Sequence, residues 1–371
     1  MNAVMCLRTF GAVACFVMIA PWSGLLAAEN PATEELAREL ARNGWIVFAG
    51  HPAEIEAGRL IEEHADRGPF DLYLVRPDGS DLRNITNTPD YHEMGGVFSK
   101  DGKRLLYRKA TKETSVNHNQ WGTLGALVIA DADGSNPVVH GEEGDFPWVS
   151  WGPDNERIAC LYKNEGKIRF FDLATKRLLR EIDSQGIFQQ MLWSPDGKHV
   201  VGPASLAGRK WNVIAIDVET EKSTLLTRAL NCTPDWFQGN PTRVIYSNRN
   251  PALFPGQYND YGLTMLMWAS VDGKVRKLIY GNANKHCYYG CTSPDDKYVL
   301  FSDDPEDSIV AGEMRVVRLA DTPIIPPALK TLKLLHPDSK EGPVFSLKLP
   351  SGVPLRGLEP HWTYAEIGRP Q

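Results

Sequence analysis

Residues Trp193-Ser194-Pro195-Asp196-Gly197-Lys198 decide the fold, because this stretch recurs in degenerate copies along the chain. Proline presets φ for a turn, and Asp-Gly tolerates the positive φ that a tight hairpin requires. Apolar runs flank each copy, as expected of two strands joined by that turn. The other copies are residues 98–103 (FSKDGK), 151–155 (WGPDN), 236–240 (WFQGN) and 292–297 (TSPDDK). Their spacing of roughly 40 to 55 residues is typical of propeller blades.

A third and a fourth strand follow each hairpin. A second turn comes after the third apolar run, as in residues 76–79 (RPDG) and 131–134 (DADG), and a fourth run leads outward. Four hairpin-linked antiparallel strands form the blade of a β-propeller. The chain contains five whole units and one split unit, whose first run is 45–49 and whose inner strand is 359–364.

We therefore predict an all-β fold, a six-bladed β-propeller over residues 45–371. The ring is expected to close when the C-terminal strand pairs with the first blade, which removes exposed sheet edges. Seven blades are the alternative, if residues 344–349 belong to a further unit. At 371 residues and 42% hydrophobic content, the chain is long enough for one large all-β body.

The N-terminus has the layout of a secretory signal peptide. Arg8 precedes an apolar run at 10–19, and Ala27-Ala28 supply small residues for a cleavage site. We predict a signal peptide at 1–28, a periplasmic or secreted mature protein, and no membrane span in the mature chain. An uncleaved anchor and a lipoprotein start at Cys15 are the alternatives. Residues 29–44 are predicted to form a linker with a short amphipathic helix, because Leu36 and Leu40 lie one turn apart.

Charge and cysteine content bear on the possible partners of the protein and on its disulfide bonds. The net charge of −6 and the lack of a clustered basic face argue against a nucleic-acid partner. Cys160, in a strand-like run, is predicted to be a buried free thiol. Cys287 and Cys291 share one extended strand and are too far apart to bond each other. A disulfide from Cys232, on the neighbouring inner strand, to Cys291 or Cys287 is geometrically conceivable.

The hairpins and the Asp-Gly turns that follow them resemble the WD-like repeats of TolB-type propellers over residues 45–367. Such blades occur in scaffolds, in the non-catalytic halves of exopeptidases and in some polysaccharide lyases. TolB carries an additional α/β domain ahead of its propeller, whereas this chain has room only for the helix at 32–43. No Gly-x-Ser-x-Gly motif is present to suggest serine hydrolase chemistry.

One face of the propeller is predicted to bind a ligand. Long connections at 50–70, 109–125 and 248–262 lie on that face, and functional residues concentrate on loops held by a rigid scaffold. Aromatic, amide and histidine side chains there suit a sugar or a peptide. The candidates on inner strands are His92, Asp145, Gln189, His286 and His361, and those on loops are His118, Trp121, Tyr258 and Tyr261. Ordinary packing or hydrogen-bonding roles are the alternative for each.

The leading functional hypothesis is an exported, non-catalytic propeller without a cofactor that binds a protein or an envelope polymer. The alternative is a polysaccharide-acting enzyme similar to oligogalacturonate lyases. The resemblance implies channel histidines and a divalent metal ion, and the candidate residues are His92, His286, His361 and Gln189. His92 and His286 are the candidates to hold the metal ion together with Asp145. A structural subunit of a larger exported assembly is a third hypothesis. The ligand and the oligomeric state do not follow from the sequence.

Overall fold

The computed structural model of the protein describes residues 31–41, 43–59, 61, 68–114, 121–228, 230–249, 264–281, 286–304, 311–321 and 343–368. Nearly all of the regular secondary structure in this part of the chain is antiparallel sheet. It begins with helix α1 (Pro31–Leu40), strand β1 (Trp45–Gly50), helix α2 (Pro52–Ala57), and strands β2 (Asp71–Val75) and β3 (Arg83–Asn84).

Sixteen strands then form four separate four-stranded sheets. The first sheet is β4 (Tyr91–Phe98), β5 (Arg104–Thr111), β6 (Ala126–Asp131) and β7 (Val138–His140). The second is β8 (Ser150–Trp151), β9 (Arg157–Tyr162), β10 (Lys167–Asp172) and β11 (Leu178–Asp183). The third is β12 (Leu192–Trp193), β13 (His199–Leu206), β14 (Arg209–Asp217) and β15 (Ser223–Thr227). The fourth is β16 (Asn231–Trp236), β17 (Arg243–Arg249), β18 (Thr264–Ser270) and β19 (Arg276–Tyr280).

The remaining strands form one eight-stranded sheet. They are β20 (His286–Thr292), β21 (Tyr298–Asp304), β22 (Gly312–Arg318), β23 (Val344–Ser346), β24 (Arg356–Thr363) and β1 to β3. The order is β20-β21-β22-β24-β1-β2-β3, with β23 paired to β22 beside this path. In each sheet, successive strands of a unit pair as hairpins, as in a propeller.

The prediction of six, or seven, separate blades is corrected, because the described residues form fewer separate sheets. The described residues form four separate four-stranded blades and one eight-stranded sheet. The join lies where Gly312 pairs with Gly357, beside the pair Glu313 and Arg356. A Cβ at Gly357 would come within 2.4 Å of the Phe48 ring, so only glycine permits this close approach. The seventh-blade alternative fails because β23 pairs with β22 as an outer strand.

The predicted pairing of the two chain ends is confirmed. Strands β1 and β24 are antiparallel partners, with Ile46 opposite Trp362 and Val47 opposite His361. Ile46, Val47 and Trp362 are fully buried. The Trp362 indole donates a hydrogen bond of 2.7 Å to the carbonyl of Asn43, just ahead of β1. The C-terminal strand therefore supplies the inner strand that precedes β1.

The Ser-x-Asp-Gly hairpin forms for the predicted reason. Ser194 Oγ donates to Asp196 Oδ1 at 2.7 Å and accepts from the His199 amide at 2.9 Å. Gly197 has a φ of +78°, a conformation that a side chain would strain. The same Ser and Asp contacts recur at residues 99–104 and 293–298. Three inner strands, β4, β12 and β20, therefore end in the same hydrogen-bonded turn.

Tryptophans at the ends of the inner strands connect neighbouring sheets. Trp151 Nε1 donates to the carbonyl of Val97 at 2.9 Å, and Trp236 Nε1 donates to that of Leu192 at 3.1 Å. The Trp193 ring packs edge-on against Phe170 with ring centroids 4.7 Å apart. These contacts fix adjacent inner strands side by side around the centre.

Helix α1 agrees with the predicted amphipathic helix. Leu36 and Leu40 are fully buried in the core that also contains Trp362. Glu39 accepts hydrogen bonds from Arg318 and Tyr298, which attach the helix to the eight-stranded sheet. Among the residues that the structure covers, no helix is long and apolar enough to cross a membrane. The predicted signal peptide, residues 1–28, lies outside the described residues.

Candidate functional site

A central cavity of about 160 Å³ lies where the inner strands meet. Residues on β4, β12, β16, β20 and β24, and residues just ahead of β8, all contribute to its lining. Gly122, in the connection between β5 and β6, also lines it. A second cavity at the hairpin end shares Val97, Leu192, Asp235 and His361 with the first. We call the first of these the central cavity.

Each inner strand, or the segment just ahead of it, places one residue with positive φ on the lining of the central cavity. Those residues are Gly95 (φ 65°), Trp148 (48°), Gln190 (45°), Thr233 (46°), Tyr289 (55°) and Glu359 (50°). In four strand pairs, the pairing register shifts at this point, which marks a β-bulge. Bulges re-aim side chains, and non-glycine residues at positive φ cost about 1–3 kcal/mol each. Such strain clusters at functional sites, so this level of the cavity is the candidate site.

Two carboxyl groups lie on the cavity wall. Glu359 and Asp235 are deep inside the protein and partly accessible, and both line the central cavity. Burial raises the pKa of Glu359 well above its ordinary value and raises the pKa of Asp235 to about 7. Asp235 Oδ1 accepts a hydrogen bond from the Trp236 amide at 2.7 Å. Within the described residues, Glu359 has no hydrogen bond or ion pair.

The other ionisable groups on the wall do not neutralise these carboxyls. Arg108 is buried and donates to three backbone carbonyls, those of Leu124, Gly125 and Phe146, at 2.7–3.0 Å. Burial lowers the pKa of Arg108 to about 10, so it stays charged at neutral pH. His361 Nδ1 accepts from the Phe98 amide at 3.3 Å, and burial lowers the pKa of its ring to about 4. His361 is therefore neutral near pH 7.

His92 and His286 hold neighbouring units together at equivalent positions. His92 Nδ1 accepts from the Phe70 amide at 3.1 Å, at the start of β2. His286 Nδ1 accepts from the Thr264 amide at 3.2 Å, at the start of β18. Each histidine thus caps the third strand of the preceding unit. Burial lowers the pKa of His92, which favours the neutral ring that this contact needs.

The predicted inner-strand residues do not come together as one site. Of the described candidates, only His361 lines the central cavity. Asp145 Oδ2 accepts from the Glu142 amide at 2.8 Å in a local turn, and Gln189 is buried beside the lining residue Gln190. No three His, Cys, Asp or Glu side chains in the described ranges could hold a metal ion together. The set of His92, Asp145 and His286 is therefore not assembled there.

The loop candidates fall largely beyond the described residues. His118, Tyr258 and Tyr261 lie outside them. Trp121 begins a short 3-10 helix, Trp121–Thr123. In that helix, a Cβ at Gly122 would come within 2.1 Å of the Trp148 ring, so the β5–β6 connection packs directly on the cavity wall.

The predicted disulfide is not formed. Cys232 and Cys291 are free and buried, as are Cys160 and Cys287. Cys232 comes before the bulge of β16, opposite Ser247, whereas Cys291 comes after the bulge of β20, opposite Leu300. The two thiols therefore occupy different levels of neighbouring strands. The prediction of a buried free thiol at Cys160 is confirmed.

Comparison with known proteins supports the fold. No protein-family model matches this sequence, and no curated protein sequence is significantly similar. TolB from Acinetobacter baumannii is similar in structure, with a TM-score of 0.55 at 14% identity over 87% of this chain and 67% of that one. A chain of a nidogen/laminin complex has a TM-score of 0.53 at 9% identity, over 86% of this chain and 98% of that one.

A third similar structure bears on the enzyme hypothesis. An oligogalacturonate lyase in complex with manganese has a TM-score of 0.41 at 13% identity, over 63% of this chain and 62% of that one. This likeness is too weak to support an argument about chemistry. The two structures with TM-scores above 0.5 support a β-propeller fold, and the function has to be argued from the site.

Proposed function

We propose that this protein is an exported, non-catalytic β-propeller that binds a protein or a cell-envelope component through one face. That face carries the connections between second and third strands. The observation that carries the proposal is the number of long connections on that face. Residues 51–70, 112–125 and 250–263 connect such strands, whereas the opposite face has one long connection, residues 319–343 between β22 and β23, beside hydrogen-bonded turns such as those at Ser194 and Ser293. Long loops on a rigid scaffold are where proteins place binding residues.

The proposal includes six units around the central cavity. In this interpretation, the eight-stranded sheet consists of two four-stranded units, β20 to β23 and β24 with β1 to β3, joined at Gly312 and Gly357. The six positive-φ residues on the cavity lining support it, because each lies on a different inner strand or just ahead of it. Export rests on the sequence of residues 1–28, with its basic start, apolar run and small residues.

The test shortens one loop by copying a turn from the same chain. Arg249 pairs with Thr264 across the ends of β17 and β18, as Leu206 pairs with Arg209 around Ala207-Gly208. Replacing residues 250–263 with Ala-Gly should therefore keep the hairpin and remove the loop. Immobilised chains of residues 29–371, with and without the loop, would be incubated with a cell-envelope extract from the source organism, and the bound components quantified by mass spectrometry.

We expect the shortened variant to keep its melting temperature within a few degrees and to lose the component that the full chain captures. The control is Lys274→Ser, on the opposite face, where the side chain is exposed and pairs only with Asp272 in the described contacts. This control should capture as much as the unchanged chain. Equal capture by the shortened variant would contradict the assignment of the binding face, and depolymerisation of a polysaccharide by the purified chain would contradict a non-catalytic role.

A further inference from the structure

The position of Glu359 on the cavity wall indicates a ligand. Its backbone is held at a φ of +50°, in the bulge of β24, and its side chain lines the central cavity. No hydrogen bond or ion pair reaches this carboxylate within the described part of the chain. An unpaired carboxylate inside a protein is strongly disfavoured, so Glu359 keeps its proton until a partner of opposite charge makes the ionised form favourable. The strained backbone adds to that cost rather than relieving it.

The two carboxyl groups on the cavity wall favour a cationic ligand. Asp235 is a second carboxyl on the same wall, and among the described residues its carboxylate accepts a hydrogen bond only from the amide of Trp236. None of the ion pairs among the described residues includes Glu359 or Asp235. Arg108 is held by three carbonyls, and His361 is neutral and turned to the Phe98 amide. The two acidic groups therefore have no ion-pair partner among the described residues, and Arg108 is a charged group on the same wall.

The volume of the central cavity and the apolar part of its lining suit an alkyl chain. A volume of about 160 Å³ holds roughly five water molecules, or one small organic group of similar volume. Much of the wall is apolar and suits methylene groups. Its aliphatic residues are Val97, Leu106, Val149, Met191, Leu192 and Pro360. Trp148 and Tyr289 add aromatic rings, which attract ammonium groups.

We propose that the central cavity binds a primary alkylammonium group, with Glu359 and Asp235 as its carboxylate partners and the aliphatic wall around its methylene chain. The group can come from a free amine or from a lysine side chain of a bound protein. Both sources present the same four-carbon ammonium chemistry. This inference does not depend on the loop-rich face being a binding face.

The test is isothermal titration calorimetry of residues 29–371 at about pH 8.5 in an amine-free buffer, where the probes keep their charge. The probes are n-butylamine, N-acetyl-lysine methylamide and the uncharged n-butanol. Binding of n-butylamine supports a free amine as ligand, and binding of the lysine derivative alone supports a side chain. Failure of both to bind overturns the proposal, and so does equal binding of n-butanol, because the carboxylates would then have no role.

Amino-acid substitutions distinguish a role of Glu359 in ligand binding from a role in stabilising the fold. Glu359→Gln keeps the shape of the side chain and should weaken binding of the amine at least tenfold, the range expected for a charged hydrogen bond. Its melting temperature should stay equal or rise, because a buried carboxylate is removed. Glu181→Gln, a surface residue paired with Arg169, is the matched control and should bind as the unchanged chain does.

Two further outcomes keep the proposal falsifiable. If Glu359→Gln does not fold, Asp235→Asn provides the second variant, and it should also weaken amine binding. Full amine binding by a folded Glu359→Gln variant would overturn the assignment. Displacement of the amine by calcium at equal concentration would overturn it as well, because the site would then be a metal site.

Discussion

Replacement of Asp235 by asparagine tests the electrostatics of the central cavity. Burial raises the pKa of this carboxyl to about 7 in the folded protein, whereas an unfolded chain has an aspartate pKa of about 3.9. The folded state thus keeps a proton that the unfolded state has lost over this pH window. Stability is highest below the unfolded pKa and falls as the pH rises through the folded pKa. The difference of about 3 units corresponds to a loss of about 4 kcal/mol at most.

Asparagine has nearly the shape of the protonated acid and does not ionise. The variant and the unchanged protein should therefore have similar free energies of unfolding at about pH 4, whereas near pH 8 the variant should be more stable by up to about 4 kcal/mol. Urea denaturation of both proteins at several pH values in an amine-free buffer measures this difference. Amine buffers are excluded because a bound ammonium group would stabilise the unchanged protein. A difference that stays constant between these pH values would refute the reasoning.

Two further predictions concern contacts between the units. Trp362→Phe removes the indole donor to the Asn43 carbonyl and leaves a gap in the core. The free energy of unfolding, measured by urea denaturation, should therefore fall by about 1–3 kcal/mol. No change would show that this contact does not join the chain ends. His286→Ala removes the acceptor of the Thr264 amide and should lower the free energy of unfolding by about 2–3 kcal/mol. The metal content, measured by plasma mass spectrometry, should not change. Loss of a stoichiometric metal would instead favour the enzyme hypothesis.

The local chemistry of the turns made most of the fold predictable. Ser-x-Asp-Gly turns depend on side-chain contacts within six residues, so the hairpins and the four-stranded units could be recognised from the sequence. The pairing of 359–364 with 45–49 followed from counting strands. The joining of two units into an eight-stranded sheet could not be predicted, because it depends on Gly312 meeting Gly357 across a long stretch of sequence.

The site was harder to predict than the fold. A bulge inserts a residue into the alternation of a strand, so the side chains beyond it change face. The sequence gives no signal for such bulges at Thr233 or Glu359, because neither is a glycine. Asp235 and Glu359 were therefore not recognised as cavity residues. The sequence does contain one signal: each is the one carboxyl of its inner strand and is close to Trp236 or Trp362.

The account depends most on β24 being the inner strand beside β1, since this pairing brings Glu359 and His361 to the central cavity. A nuclear Overhauser experiment on deuterated protein, with amide protons restored, measures that pairing directly. We expect amide contacts across the two strands between residues 45–47 and residues 361–363. Contacts from residues 45–47 to a different strand in place of these would contradict the account.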